Sequence, residues 1–329
     1  MVISGSRHSK FSQTSVFKHV NDWHILPKRK MHSLLECNKL CSSTVDCRRI
    51  LYDKETKLCS LYNEGENCLT DEEVTDKVCY RMLSICDDVN CERCPIGYYG
   101  GRCQHIIEDC TDGKRKNVVP TRAARSFIRP SKSLRIFEAF CDFGYDGWTF
   151  IHFRDAQSPA INFNRTWSEY VNGFGYRGRN HWLGLENIHS ILQNHPSFRL
   201  RFLIQYGNPL RSAISHYFQF NVRNVTDNYK ISIASFIDHS SFPAGDSLTN
   251  GSYSINGRPF STYDRDYSNN DCPGRFGGGW WFLDDPVCSR GNINGRRSGD
   301  NFESTWHWLD NLGNSTDVHR ILLKIARVG

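Results

Sequence analysis

The chain has 329 residues, long enough for two or three domains, and 39% of them are hydrophobic, which is enough for a buried core. The formal net charge is only +6 and no nucleic-acid-binding motif is present, so DNA and RNA are not predicted partners. No run of about 18 apolar residues occurs, so the chain is not predicted to span a membrane.

Fourteen cysteines fall into three groups along the chain: six from Cys37 to Cys79, four from Cys86 to Cys103, and four later. Each group is even, which favours disulfides closed within separate modules. Four N-glycosylation sequons follow, at Asn164, Asn224, Asn250 and Asn314. Together these features predict a secreted, extracellular protein, although residues 1–30 lack the apolar core of a signal peptide.

Residues 1–9 are predicted to be disordered, and a patterned segment follows them. The stretch 34–41 has apolar residues and cysteines three and four apart, which predicts a helix that Ser33 could cap. Residues 47–52 and 58–62 are predicted to form two strands joined by a polar turn. Four cysteines hold this helix and hairpin together: Cys37, Cys41, Cys47 and Cys59. The arrangement resembles the PAN/apple module, assigned here to residues 10–82, and that resemblance implies adhesion to proteins or glycans.

The segment from Cys94 to Cys103 contains Gly97, Tyr98 and Gly100 and resembles the last loop of an EGF-like module. Its cysteines are fewer than in a complete module, so we interpret residues 83–107 as a short EGF-like unit. The available cysteines are Cys86, Cys91, Cys94 and Cys103. A zinc site made by Cys91, Cys94, Cys103 and His105 is an alternative that the secreted context disfavours.

From residue 137 onward, alternation of apolar and polar residues dominates. Strands are predicted at residues 148–153, 198–204, 216–222 and 229–233, and short helices at 167–170 and 185–192. This pattern predicts an α+β fold with a mostly antiparallel sheet and long loops. No GxSxG or HExxH signature occurs and the 13 histidines are scattered, so the chain is not predicted to be an enzyme.

The stretch from Phe260 to Arg297 is the part of the chain most typical of a binding site. Asp264 and Asp266 stand in a polar run that favours calcium ligation over acid–base catalysis. Two cysteines, Cys272 and Cys288, bracket a glycine-rich segment with paired tryptophans, which is typical of a small rigid concave site.

This stretch resembles the calcium and ligand loops of the fibrinogen C-terminal-like domain, which is shared by fibrinogen chains, ficolins, tenascins and angiopoietins. Further blocks carry the same resemblance: residues 140–142, 147–149, 163–167, 173–175, 181–184, 244–248, 306–308 and 323–327. The domain is assigned to residues 108–329, and the resemblance implies the α+β fold expected above. It also implies two disulfides, Cys110 with Cys141 and Cys272 with Cys288.

The resemblance implies a calcium site at Asp264 and Asp266, with the backbone carbonyls of Ser268 and Asn270, when the register is counted back from Cys272. Counting forward from Phe260 gives Asp266 and Ser268 instead. We prefer the first register because two carboxylates balance a dication better than one.

The ligand pocket that the resemblance implies involves Asp271, Cys272, Trp281, Ser289 and Arg296. Relatives often carry a histidine and a tyrosine where this chain has Ser289 and Arg296, and Arg275, Arg290 and Arg297 are close in sequence. Guanidinium groups suit carboxylates and sulfates, which predicts anionic ligands over N-acetylated ones. The alternative is that these arginines point into solvent.

The sequence therefore predicts a secreted, non-catalytic protein that binds glycans or microbial and cell surfaces through a calcium-stabilised domain. The alternative is a matrix or signalling ligand that binds an extracellular receptor protein through the same domain.

Overall fold

The structure is a computed structural model of the chain. It describes residues 2–5, 9–15, 29–33, 36–37, 40, 49–53, 55–62, 77–84, 94–100, 103, 105–118, 122–133, 135–239, 241–297, 301–312 and 318–328. The chain divides into two compact units, Met1–Ile106 and Ile107–Gly329.

The first unit contains one antiparallel sheet with two short strands at its ends. Its strands are β1 (Val2–Gly5), β2 (Ser9–Ser15), β3 (Arg29–Lys30), β4 (Arg49–Asp53), β5 (Leu58–Tyr62) and β6 (Lys77–Ser84). Their order is β1–β2–β6–β4–β5–β3. The structure differs from the disorder expected for residues 1–9, because β2 pairs with β6 on one side and offers its other edge to β1.

The helix expected over residues 34–41 is described in part. Helical backbone is found at Glu36, Cys37 and Leu40. The Glu36 N–H donates to the Ser33 hydroxyl at 3.3 Å, so Ser33 caps the segment as expected. A disulfide joins Cys37 to Cys59 on β5 and so ties the helical segment to the hairpin. Cys41 and Cys47 lie outside the described residues.

A short hairpin of β7 (Tyr98–Tyr99) and β8 (His105–Ile106) ends the first unit. A disulfide joins Cys94 to Cys103 across it. Sulfurs bonded to each other are not available as zinc thiolates, so the alternative zinc site is wrong for these two residues. Cys86 and Cys91 lie outside the described residues.

The second unit contains one large antiparallel sheet and a separate pair of short strands. Its strands are β9 (Ala123–Ile128), β10 (Phe137–Asp142), β11 (Trp148–Asp155), β12 (Phe174–Gly175), β13 (His181–Trp182), β14 (Phe198–Tyr206), β15 (Arg211–Val222), β16 (Ile231–Asp238), β17 (Gly291–Asn292), β18 (His307–Trp308) and β19 (Val318–Arg327). Within the described residues, the main path is β12–β13–β11–β19–β14–β15–β16, with β10 on β11 and β9 on β10, and β17 pairs with β18 separately.

Among the described residues, four short helices lie before or between these strands. They are α1 (Cys110–Arg115), α2 (Trp167–Asn172), α3 (Leu185–Leu192) and α4 (Cys272–Phe276), with 3₁₀ turns at Val225–Asp227, Gly251–Tyr253 and Phe302–Ser304. Helix α2 begins at a capping box, in which Thr166 and Glu169 satisfy each other's backbone N–H groups. The α+β architecture with a mostly antiparallel sheet is confirmed.

The sheet separates a packed inner face from a partly open outer face. On β14, Phe198, Leu200, Phe202 and Ile204 are buried, whereas the alternate residues are half-buried. The disulfide Cys110–Cys141 ties α1 to β10, as the resemblance implied. No helix in the described part of the chain is long and apolar enough to cross a lipid bilayer.

Candidate functional site

The candidate site is formed by two loops, one at Ser261 and one at Trp280, that backbone hydrogen bonds join. The N–H of Ser261 donates to the Trp280 carbonyl at 2.8 Å, and the N–H of Trp280 donates back to the Ser261 carbonyl at 3.0 Å. The disulfide Cys272–Cys288 closes the segment that contains α4 and Trp280. Both tethers are buried, so the loops form a fixed frame rather than a flexible flap.

An aromatic core supports this frame from below. Trp281 is 1% exposed and lies 5.0 Å from the Phe260 ring centroid, and its Nε1 donates to the Tyr229 carbonyl at 2.8 Å. The Tyr170 hydroxyl accepts from the Gly279 N–H at 3.0 Å and donates to the Phe163 carbonyl at 2.7 Å. Helix α2 is thereby fixed to the glycine-rich turn.

Two buried asparagines hold the loop that follows. Asn292 Nδ2 donates to the carbonyls of Phe276 and Glu303, at 2.8 and 2.7 Å, and its Oδ1 accepts from the Gly295 N–H at 2.7 Å. Asn294 Nδ2 donates to the Gly279 carbonyl at 2.8 Å. The Asn-x-Asn-Gly pattern therefore fixes the backbone that leads to Arg296, rather than contacting a ligand.

Arg154 is a buried cation in this frame that the sequence did not reveal. Its guanidinium donates to the carbonyls of Ile293 and Gly295, and it lies between the rings of Phe163 and Trp306, 4.3 and 4.4 Å from their centroids. Burial lowers the pKa of Arg154 to about 9. Arg154 joins β11 to the loop and is a structural part of the site.

The carboxylate of Asp264 has different hydrogen-bond partners from the carboxylate of Asp266. Its Oδ1 accepts from the N–H of Trp167, at the start of α2, and from the Thr262 hydroxyl, both at 2.8 Å. The carboxylate therefore stabilises the N-terminus of α2. This geometry does not favour the register that counts Asp264 as a calcium ligand.

The remaining expected calcium ligands lie together in the polar loop. Asp266 is exposed and its Oδ1 accepts from the backbone N–H and the hydroxyl of Ser268, both at 2.8 Å. Among the described residues, no N–H donates to the carbonyls of Ser268 or Asn270. Hard oxygens of this kind fit calcium, but they supply one carboxylate where two were expected. The described residues contain no group of three or more His, Cys, Asp or Glu side chains that could hold a metal ion.

Asp284 is a loop contact that the sequence did not suggest. Its two carboxylate oxygens accept from the backbone N–H and the side-chain amide of Asn269, at 2.9 and 3.1 Å. Since Asp284 lies between the two cysteines, it ties the polar loop to the opposite side of the Cys272–Cys288 ring.

Three of the five expected pocket residues are internal. Cys272 and Trp281 are 0% and 1% exposed, and Ser289 is 3% exposed with its hydroxyl donating to the Gly291 carbonyl at 2.8 Å. These side chains are not available to a ligand, which corrects the expectation for them. Asp271 and Arg296 are exposed. Asp271 stands before α4 in the left-handed conformation, with φ of 49°.

The arginines near the site divide into paired and unpaired groups. Arg275 donates to the Glu303 carboxylate at 2.5 Å, and this hydrogen bond raises the pKa of Arg275. Arg290 forms an ion pair with Asp310. Arg296 and Arg297 are exposed, and no carboxylate among the described residues pairs with them. Among the described arginines near the site, these two are therefore the ones without an ion pair, and Arg297 Nη1 donates to the Ala156 carbonyl at 3.2 Å.

Three sequon asparagines are exposed, as glycosylation would require: Asn164, Asn224 and Asn250. Asn314 lies outside the described residues.

The family model "Fibrinogen beta and gamma chains, C-terminal globular domain" matches residues 106–327. That segment is more than half of the chain and contains the sheet and the site described above. The chain therefore belongs to the fibrinogen C-terminal domain family.

Similar proteins are of several kinds. Ficolin-3 from Homo sapiens is 36% identical over 165 residues, covering 49% of this chain and 51% of that protein. Ryncolin-4 from Cerberus rynchops is 37% identical over 171 residues, covering 51% and 46%. Tenascin-R from Gallus gallus is 30% identical over 228 residues, covering 69% and 16%. The chain thus spans about half or less of the length of these relatives.

Solved structures show the same fold. The fibrinogen-like globe domain of human ANGPTL6 superposes with a TM-score of 0.59 at 24% identity, covering 68% of this chain and 97% of that one. A lamprey fibrin D-dimer complexed with the peptide Gly-His-Arg-Pro-amide gives 0.58 at 23% identity, covering 74% and 78%.

Proposed function

We propose that this chain is an extracellular, non-catalytic recognition protein whose fibrinogen C-terminal domain binds glycans on microbial or cell surfaces. Ficolin-3 and ryncolin-4 among the relatives support a lectin-like role in innate recognition. The four described disulfides and the exposed sequon asparagines support an extracellular location. We include PAN/apple-like (10–82) and EGF-like (83–107) adhesion modules in this proposal.

One observation carries the proposal: exposed side chains stand on backbone that buried groups hold in place. The N–H of Arg296 donates to the Ser304 carbonyl at 2.6 Å, and its carbonyl accepts from the Trp306 N–H at 2.9 Å. Asp271 is fixed by the adjacent Cys272–Cys288 disulfide. A rigid backbone with projecting polar groups is suited to binding because little conformational entropy is lost.

The available arginines favour an acidic ligand. Arg296 and Arg297 present guanidinium groups that pair with carboxylates or sulfates through two hydrogen bonds. Neither group provides the apolar wall that an acetyl methyl needs. We therefore propose acidic sugars as the preferred ligands of this site.

Calcium has a supporting role in this proposal. It would be held by Asp266 and the carbonyls of Ser268 and Asn270, and water would complete its coordination. One carboxylate gives a weak site, with an expected Kd on the order of 10⁻⁴–10⁻³ M as in extracellular modules. When bound, the ion would neutralise Asp266 and stiffen the polar loop.

A glycan array probed with the full chain tests the proposal. Binding to acidic glycans is expected, with a weaker signal after chelation and a loss in Arg296→Gln. Arg211→Gln, which removes an exposed arginine of β15, is the matched control. Absence of any glycan binding, or equal binding by Arg296→Gln and the control, would reject the proposed site.

A second candidate function is binding of a receptor protein, as in a matrix or signalling ligand. The lamprey fibrin structure shows that a protein of this fold holds a peptide, and Tenascin-R and Angiopoietin-4 are also among the relatives. Capture of a cell-surface protein that free sugars do not inhibit would favour this candidate over the glycan proposal.

A further inference from the structure

The outer face of the large sheet carries a row of basic side chains in direct register. Arg201 on β14 lies opposite Lys324 on β19 and opposite His216 on β15. We call Lys324, Arg201 and His216 the cationic row. Like charges directly opposite each other destabilise a sheet. The direct pairing of Arg201 with Lys324 is a local conflict of this kind, and such conflicts are expected at functional positions.

Carboxylates neutralise only part of this face. Lys324 pairs with Asp142 at 3.2 Å, and Arg199 pairs with Asp146 at 2.9 Å. Within the described residues, Arg201 has no carboxylate partner, and its Nε donates to His216 Nε2 at 2.6 Å. His216 must be neutral to accept this bond, so Arg201 keeps its positive charge, which Asp142 and Asp146 offset only from a distance.

Two buried N–H groups beneath this face have no acceptor within the described residues. The Trp148 ring lies 4.9 Å from the guanidinium of Arg199, 4.5 Å from that of Arg201, and 5.3 Å from the Lys324 ammonium. Trp148 Nε1 and Arg199 Nε are both buried and donate to no acceptor in the described part of the chain. Buried N–H groups normally have partners, so two orphan donors beside an unpaired guanidinium point to a missing acceptor.

We propose that this face, formed by Trp148, Arg199 and the cationic row, binds an anionic group of an acidic polysaccharide, such as a sulfate. Arg201 would grip the anion through its planar fork, and Arg199 and Lys324 would supply further positive charge. Half-burial of Arg201 strengthens such a contact because the local dielectric constant is lower than in water. The site shares no residue with the loop site at Arg296 and goes beyond the function proposed for it.

His216 is neutral near pH 7 and makes the charge of this face depend on pH in acid. Burial, together with the nearby positive groups, lowers the pKa of His216 to about 4. The charged and titratable groups that face it are Arg201, His239, Arg199 and Lys324, and the nearby carboxylates are Asp142 and Asp146. A bound anion would raise the pKa of His216, so binding should tighten as the pH falls from 7 to 5.

Binding of a heparin oligosaccharide of fixed length to the full chain tests the proposal. Arg201→Gln is expected to reduce the affinity about tenfold, because a bidentate charged contact is lost. Arg201→Lys, which keeps the charge and removes the fork, is expected to fall between this variant and wild type. Arg211→Gln, which removes the same charge elsewhere, is expected to change the affinity less than about twofold, since only general electrostatics is altered.

Equal losses in Arg201→Gln and Arg211→Gln would overturn the proposal, as would duplex DNA that competes as well as heparin at equal charge. The His216 ring of the wild-type chain gives an independent readout by NMR, which does not depend on the stability of a variant. Saturating heparin should raise its pKa, and an unchanged value would also overturn the proposal. The glycan array varies Arg296 and this experiment varies Arg201, so failure here leaves the loop site standing.

Discussion

At Asp266 a single carboxylate decides whether the polar loop responds to calcium. We predict that Asp266→Asn abolishes the rise in melting temperature that calcium gives to the wild-type chain, because a ligand that binds only the folded state stabilises it. Differential scanning calorimetry with calcium and with a chelator measures this rise. An undiminished rise in Asp266→Asn would reject the site.

Asp264 should behave differently from its neighbour. Because its carboxylate accepts from the Trp167 N–H, Asp264→Ala should destabilise the chain by about 1 kcal/mol, as loss of a capping hydrogen bond does. The loss should be equal with and without calcium. A loss confined to the calcium-loaded chain would instead restore Asp264 as a ligand.

Buried histidines predict a loss of stability in mild acid. His181 is 0% exposed, and burial lowers its pKa to about 4 from the ordinary value of 6.5. Below pH 6.5 the unfolded chain gains a proton at this residue that the folded chain does not, so stability falls as the pH drops toward 4. The full effect for His181 is about 3 kcal/mol.

Urea unfolding at pH 7.5, 6.0 and 5.0 measures this dependence. Burial also lowers the pKa of His152 well below its ordinary value, so the total slope should exceed that of one histidine. His181→Gln cannot titrate and should flatten the profile. A wild-type stability that is constant from pH 7.5 to 5.0 would contradict the account.

Single residues were predicted from the sequence where their chemistry is local. The polar loop around Asp266 and the exposed Arg296 could be recognised from neighbouring residues. Arg154 and Asp284 could not, because their partners lie 139 and 15 residues away and only folding brings them together. Trp281 and Ser289 were misassigned because a motif does not reveal which side chains face inward.

At the scale of elements, the glycine-rich turn at residues 277–279 requires glycine for two reasons. Neighbouring rings leave no room for a side chain at one position, and the backbone is left-handed at another. A Cβ at Gly279 would lie 2.8 Å from Tyr170 and 2.9 Å from Phe260. We predict that Gly279→Ala destabilises the chain by about 1–3 kcal/mol, as overpacking does, measured by urea unfolding.

Gly277→Ala is the matched control for this prediction. A Cβ there meets no atom of the described residues within 4 Å, but φ is +68°, so only the left-handed backbone carries a penalty, of about 1 kcal/mol. Gly279→Ala should therefore also weaken binding at the site, because it displaces Tyr170, whereas Gly277→Ala should not. Identical binding by the two variants would contradict the role given to this turn.

Elements with a clear period were predicted well. The helix expected over residues 185–192 coincides with α3, and the strand expected over 58–62 coincides with β5. The strand expected over 216–222 is longer in the structure and begins at Arg211, because backbone pairing with β14 continues past the alternating residues. Strand ends depend on the partner strand, which local sequence does not contain.

At the scale of the molecule, the sequence predicted the fold class and the order of the family's blocks, and the comparisons confirmed the family. The strand order was beyond prediction from local patterns. Strand β11 pairs with β19, so that Thr149 lies opposite Ile325. This pairing joins an early strand of the domain to its last strand. Contacts over such sequence distances depend on collective packing of the inner face.

The central claim is that Arg296 gives the loop site a preference for acidic ligands. Competition between immobilised acidic glycan and free sugars, sialyllactose against N-acetylglucosamine, tests it most directly. The account predicts that sialyllactose displaces the wild-type chain at a concentration at least about tenfold lower, and that Arg296→Gln removes this difference. Displacement by N-acetylglucosamine at the lower concentration, unchanged in Arg296→Gln, would contradict it.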